Sequence, residues 1–168
     1  MTDERGGART SIFQINRIPF WPIACDGATV HTILVVDDDE DIRNVLQLVL
    51  KKAGYRPLLA DSGRQAIDLM KHDHEASSVA AILCDLEMPD MDGATVIAHF
   101  QTHYPMIPIV VLSGASPTQF LDAIGNQGVG DWIRKPATND AVLEKVRSAV
   151  HLFELRQADR RLKNLSTP

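Results

Sequence analysis

From Thr32 onward the chain alternates short apolar runs with amphipathic stretches, and this alternation constrains the fold more than any other feature. A continuous run such as Ile33, Leu34, Val35, Val36 suits a strand buried on both faces, which belongs to parallel sheets covered by helices on either side. Five βα units can be counted, with predicted strands over Thr32 to Val36, Arg56 to Ala60, Ala80 to Cys84, Ile107 to Leu112 and Gly130 to Ile133. Between them Ile42, Val45, Leu46 and Val49 recur at helical spacing, as do Val96, Ile97 and Phe100, each set predicting one stripe laid on the sheet. Asp39 and Ser62 stand where N-caps belong, and Gly54 where a left-handed residue ends the first helix.

Composition limits what such a fold can do. The 168 residues, 45% hydrophobic and 23% charged, suit one domain with tails. A core of this size forms without staples, and Cys25 and Cys84 are too far apart in sequence for a CxxC zinc or redox motif, which fits a reduced, cytoplasmic setting. A net charge of −5 argues against direct contact with nucleic acid. Pro19 and Pro22 interrupt the longest apolar run near the N-terminus, so neither a membrane span nor a secretory signal is expected. Residues 1–30 lack periodicity and read as an unfolded N-terminal extension.

The polar groups that can do chemistry fall at the carboxyl ends of the strands, where open α/β sheets bind their ligands. Asp37, Asp38 and Asp39 follow strand one, Asp85 ends strand three, Ser113 ends strand four, and Lys135 and Pro136 follow strand five. Carboxylates converging in one crevice stay ionised only when a cation neutralises them, and Mg2+ suits few carboxylates, a carbonyl and phosphate oxygens. A lysine and a hydroxyl aimed at the same point complete a phosphoryl site, with Asp85 as nucleophile. His72 and His74 fall in a loop and read as solvated side chains, and the i, i+4 pair His99 and His103 flanks an apolar stripe without an acidic partner, which argues against a zinc site. Cys84 reads as an inert buried thiol.

The strings ILVVDDDEDIR (Ile33 to Arg43), LCDLEMPDMDG (Leu83 to Gly93), VVLSGA (Val110 to Ala115) and DWIRKP (Asp131 to Pro136) resemble the receiver domain of two-component response regulators, of the chemotaxis-regulator kind. The resemblance spans about Thr32 to Val150, and D-x-x-M-P-x-M-D-G is rarely met by chance outside that family. It implies a flavodoxin-like (βα)5 fold with strand order 2-1-3-4-5, a receiver domain over residues 31–151 and a C-terminal helical extension or linker over 152–168. Carried over by position, Asp85 is the phosphoacceptor, Asp38 binds Mg2+ directly, Asp37 acts through water, and the Glu87 backbone carbonyl is a further metal ligand. The Glu87 side chain borders the site. Asp39 falls one place past the acidic pair and is read as a helix cap. Ser113 and Trp132 are the switch residues, Lys135 pairs with a phosphoryl oxygen, and the Lys135–Pro136 bond is expected to be cis. Gly114 leaves the entrance open to a bulky phosphodonor.

The implied reaction moves a phosphoryl group to Asp85 from a phosphohistidine of a sensor histidine kinase or histidine phosphotransfer protein. The implied output is a change of shape on the face made by the fourth helix, fifth strand and fifth helix. Beyond its own phosphorylation and dephosphorylation no enzymatic turnover is expected. Leu152, Leu155, Leu162 and Leu165 carry the apolar pattern past the sheet, among Arg156, Arg160, Arg161 and Lys163, and suggest pairing of two copies through that face or the C-terminal helix. Two rival readings remain: a receiver-like scaffold that works without phosphorylation, and an aspartate-nucleophile phosphatase using Asp37 and Asp39, which gives Asp85 no role.

Overall fold

The computed structural model describes residues 30–72, 78–89, 93–114 and 129–165. Strands β1 (Thr32–Val36), β2 (Arg56–Ala60), β3 (Val79–Asp85), β4 (Ile109–Ser113) and β5 (Val129–Arg134) form one parallel sheet in the order β2-β1-β3-β4-β5. The helices are α1 (Glu40–Lys52), α2 (Gly63–His72), α3 (Gly93–His103) and a C-terminal helix (Asn139–Leu165). This is the flavodoxin-like arrangement. The expected fourth helix and the first 29 residues lie outside the described residues.

Alternation along each strand sorts the core into two layers. Leu34 and Val36 of β1 meet Ala66 and Met70 of α2 and Val96, Ile97 and Phe100 of α3. Ile33 and Val35 point the other way, to Leu46 and Leu50 of α1 and to Val142, Val146, Ala149, Val150 and Phe153 of the C-terminal helix. Both faces are therefore covered, which is why these strands are apolar runs rather than alternating patterns. The chain leaves β1 for β2 on one side and returns to β3 on the other, so the strand order reverses between β1 and β3. A crevice opens at their carboxyl ends.

Local chemistry sets the element limits. Asp39 caps α1 by accepting hydrogen bonds from the N–H groups of Asp41 (2.8 Å) and Ile42 (3.2 Å). Gly54, at φ 87°, turns the chain out of α1. Ser62 Oγ accepts from Gln65 N–H at 3.3 Å, and the Gln65 side chain accepts from Asp61 N–H at 2.6 Å, closing the start of α2 from both sides.

β1 and β2 span the residues expected from sequence, whereas β3 and β5 each run one residue further at both ends. β4 begins at Ile109, not Ile107, because Pro108 has no N–H for the ladder and contributes only its carbonyl, which accepts from Ile82 N–H at 3.0 Å. The stripe of α1 also differs. Val45 is 52% exposed and its expected place on the sheet is taken by Leu50, so the buried line runs through Leu46 and Leu50.

Candidate functional site

Five side chains from four strand ends meet in the crevice. Asp37 directly follows β1 and is fully buried, held there by its N–H, which continues the β1–β2 ladder to Ala60 O at 3.2 Å. Its Oδ1 accepts from Asp39 N–H at 2.9 Å, and its backbone carbonyl accepts from the Arg43 guanidinium at 2.7 Å. Asp85 closes β3 with 2% exposure, and its Oδ1 accepts from Glu87 N–H at 3.2 Å. Lys135 leaves β5 with its N–H on Ser113 O at 2.9 Å, ahead of a cis peptide to Pro136. Its ammonium donates to Asp85 Oδ2 at 2.8 Å and to Asp37 Oδ2 at 3.0 Å, bridging the two buried carboxylates. Asp38 is exposed, but a carboxylate oxygen from each of Asp37, Asp38 and Asp85 lies within 4.8 Å of the others.

Electrostatics at this edge are unbalanced. Burial raises the Asp37 carboxyl above its ordinary range, opposed by its hydrogen bonds from Lys135 and Asp39, while the Asp85 charge raises it further. Burial alone would lower Lys135, but its bonds to Asp85 and Asp37 outweigh that and raise it. One ammonium thus pairs with two of the three clustered carboxylates, Asp37 and Asp85. That donor set, all hard oxygens with two buried charges to neutralise, fits a divalent cation such as Mg2+. Cys84 beside it is pushed far upward, chiefly by burial and then by the Asp85 and Asp37 charges, so it stays a neutral thiol.

The start of α3 is pressed against the site. A Cβ on Gly93 would lie 2.5 Å from Leu86 Cα and 2.7 Å from the Asp85 carbonyl, so only glycine lets the helix begin this close to the end of β3. Gly93 N–H donates to Leu86 O at 3.3 Å and ties the first residue of α3 to the residue that follows β3.

A family model described as the response regulator receiver domain matches residues 33–147. The chain belongs to the response regulator receiver family. An NtrX-like response regulator of Rickettsia bellii is 29% identical over 79% of this chain. The CAI-1 autoinducer sensor kinase/phosphatase CqsS of Vibrio cholerae is 32% identical over 70% of it. The chain spans only 27% and 17% of those two proteins. A CheY-like receiver domain of known structure, from Methanospirillum hungatei, covers 74% of this chain and 97% of its own with a TM-score of 0.68 at 22% identity, a likeness of fold. Receivers of this family are signalling modules of two-component systems.

Within this receiver the structure brings Asp37, Asp38, Asp85, Ser113 and Lys135 to one edge and leaves Asp39 outside as the α1 cap. Ser113 is 1% exposed at the end of β4. Trp132 is half-buried against the layer formed with α2 and α3, and its indole Nε1 is buried without an acceptor among the described residues. The His99 and His103 rings stack at 4.1 Å, and His72 is exposed. His74, Ala115, Asp90, Met91 and Asp92 lie outside the described residues. Among the described residues no helix is long and apolar enough to cross a membrane.

Sequence reasoning missed where the Glu87 carboxylate goes. It is exposed, yet its Oε1 accepts from Gly114 N–H at 3.1 Å and from the Ser113 hydroxyl at 3.3 Å. The signal was present in the glycine after Ser113, which opens a space beside the strand end that the carboxylate fills. Arg43 was also missed; its guanidinium holds the Asp37 backbone rather than facing solvent.

Proposed function

We propose that this chain is a phosphoacceptor receiver in a two-component phosphorelay, taking a phosphoryl group onto Asp85 from a phosphohistidine of a sensor histidine kinase or histidine phosphotransfer protein. The observation that carries this reading is the Lys135 ammonium bridging Asp85 and Asp37 at 2.8 and 3.0 Å, because buried acids held around one cation at a ligand crevice mark a functional site more often than a structural one. An Asp85 carboxylate oxygen attacks phosphorus in line, the P–N bond to the imidazole breaks as the P–O bond forms, and the freed imidazole nitrogen takes a proton from water. Lys135 then pairs with a phosphoryl oxygen, and the Ser113 hydroxyl and Gly114 N–H donate to another. Mg2+ on Asp37, Asp38, Asp85 and the Glu87 backbone carbonyl would supply neutralising charge during transfer.

Once Ser113 is drawn to the phosphoryl group, Trp132 repacks behind it, and the face containing β5 and the C-terminal helix passes the signal on as a shift between two states. Residues 31–151 are the receiver unit and 152–168 a C-terminal helical extension or linker, whose exposed Leu155, Leu162 and Leu165 suit pairing with a second copy. The chain works in the cytoplasm, where its kinase partner is found, and turns over no small-molecule substrate. The test is phosphotransfer: incubation with Mg2+ and acetyl phosphate is expected to add about 80 Da to the intact mass, reversed by hydroxylamine as an acyl phosphate requires. A chain that gains no mass while still binding a partner supports the scaffold reading instead.

A further inference from the structure

Every donor that the proposed reaction turns toward phosphoryl oxygens is already engaged by a carboxylate. Lys135 lies on Asp37 and Asp85, and the Ser113 hydroxyl and Gly114 N–H both lie on Glu87 Oε1. Two features make the Glu87 contact more than a surface side chain at rest. A Cβ on Gly114 would approach Glu87 Oε1 to 3.3 Å and Oε2 to 3.5 Å, so the carboxylate packs close against the glycine and a side chain at residue 114 would crowd it. The two donors also come from the end of β4, beside the phosphoacceptor that ends β3, and Asp85 pairs with Leu112 in the β3–β4 ladder.

We infer that the Glu87 carboxylate is an internal stand-in for the phosphoryl group, which must leave Ser113 and Gly114 before a phosphoryl group on Asp85 can be bound there. The inference rests on reading Asp85 as the phosphoacceptor. A hydroxyl and an N–H each offer one proton, so neither serves two anions at full strength. A doubly charged phosphoryl group beside the seated carboxylate is also repelled. Glu87 therefore slows loading and holds Ser113 at the unphosphorylated strand end, and on loading its side chain is released to solvent. The residue acts on the reaction by competing for donors, without touching the phosphorus.

The test compares the full chain with Glu87→Ala, Glu87→Asp and Glu87→Gln, all with Mg2+, by the rate of mass gain from acetyl phosphate and by the Kd for beryllofluoride, a tetrahedral phosphoryl mimic. Glu87 is exposed, so the variants keep the fold, as melting curves will verify. Aspartate keeps the charge but is one methylene too short to reach both donors. Glu87→Ala and Glu87→Asp are both expected to load about tenfold faster and bind the mimic about tenfold tighter than wild type, an effect of two charge-assisted hydrogen bonds at a partly exposed site. Glu87→Gln, which reaches without charge, is expected in between at about threefold. If Glu87→Asp matches wild type while Glu87→Ala is faster, bulk charge rather than the seat is responsible and the inference falls. Equal rates in all four overturn it and leave Asp85 as phosphoacceptor; no mass gain and no mimic binding in any of them overturns both readings.

Discussion

The carboxyl edge of the sheet and the last turns of the C-terminal helix invert the usual rule of burial in opposite ways. At the edge, Asp37, Asp85 and Ser113 are almost wholly enclosed, while in the helix Leu155, Leu162 and Leu165 are 54%, 65% and 83% exposed. Between them lies an ordinary core, in which the same helix buries Val142, Val146 and Phe153. Function concentrates where the pattern of a stable fold is broken. The difference is in cost. Enclosed acids carry desolvation and need partners, whereas exposed leucines cost the monomer little.

The comparison can be pressed hardest at the edge. Gly93→Ala places a Cβ against backbone atoms that cannot give way, and is expected to cost about 3 kcal/mol in urea unfolding, the upper end for overpacking. Phe153→Ala, the last buried residue of the C-terminal helix, is expected to cost nearly as much. Lys135→Met strands two buried carboxylates and is expected to cost about 2 kcal/mol in metal-free protein near neutral pH, less than a fully enclosed pair because the lysine is 23% exposed.

Asp37→Asn should go the other way. A carboxyl whose folded pKa is raised keeps its proton longer in the folded than in the unfolded chain, so stability falls as pH rises from the ordinary value of 3.8 through the raised one. Asparagine removes that loss, and the metal-free variant is expected to be more stable than wild type near neutral pH and to lack the falling limb, read from urea midpoints across pH. Saturating Mg2+ should stabilise wild type much more than the variant. The smallest effect belongs to the helix end: Leu162→Ala, at a side chain 65% exposed, is expected to change monomer stability by less than about 0.5 kcal/mol, and a larger loss at low concentration would contradict the contrast with the enclosed edge.

Most of the fold was legible because apolar runs and turn chemistry agreed. β1 was delimited by the change from Val36 to Asp37, and α1 by Asp39 and Gly54. The misreadings were local. Ile107 looked like strand until Pro108 is seen to offer only a carbonyl, and Val45 satisfied the helical period while lying on the rim of the stripe. At the site the residue types were legible, since Asp, Ser and Lys at four strand ends have few other uses. Which donors each carboxylate holds was not, because the Glu87 contacts cross from the β3 loop to the end of β4.

The central claim is that Asp85 carries the phosphoryl group. Borohydride reduces an aspartyl phosphate to homoserine, so chain treated with acetyl phosphate and Mg2+ can be trapped, digested and sequenced by mass spectrometry. Homoserine at residue 85 in wild type, and nowhere in Asp85→Ala, is the expected result. Reduction at Asp37 instead, as a phosphatase nucleophile would give, or no reduction at any residue of a folded, Mg2+-loaded chain, would contradict it.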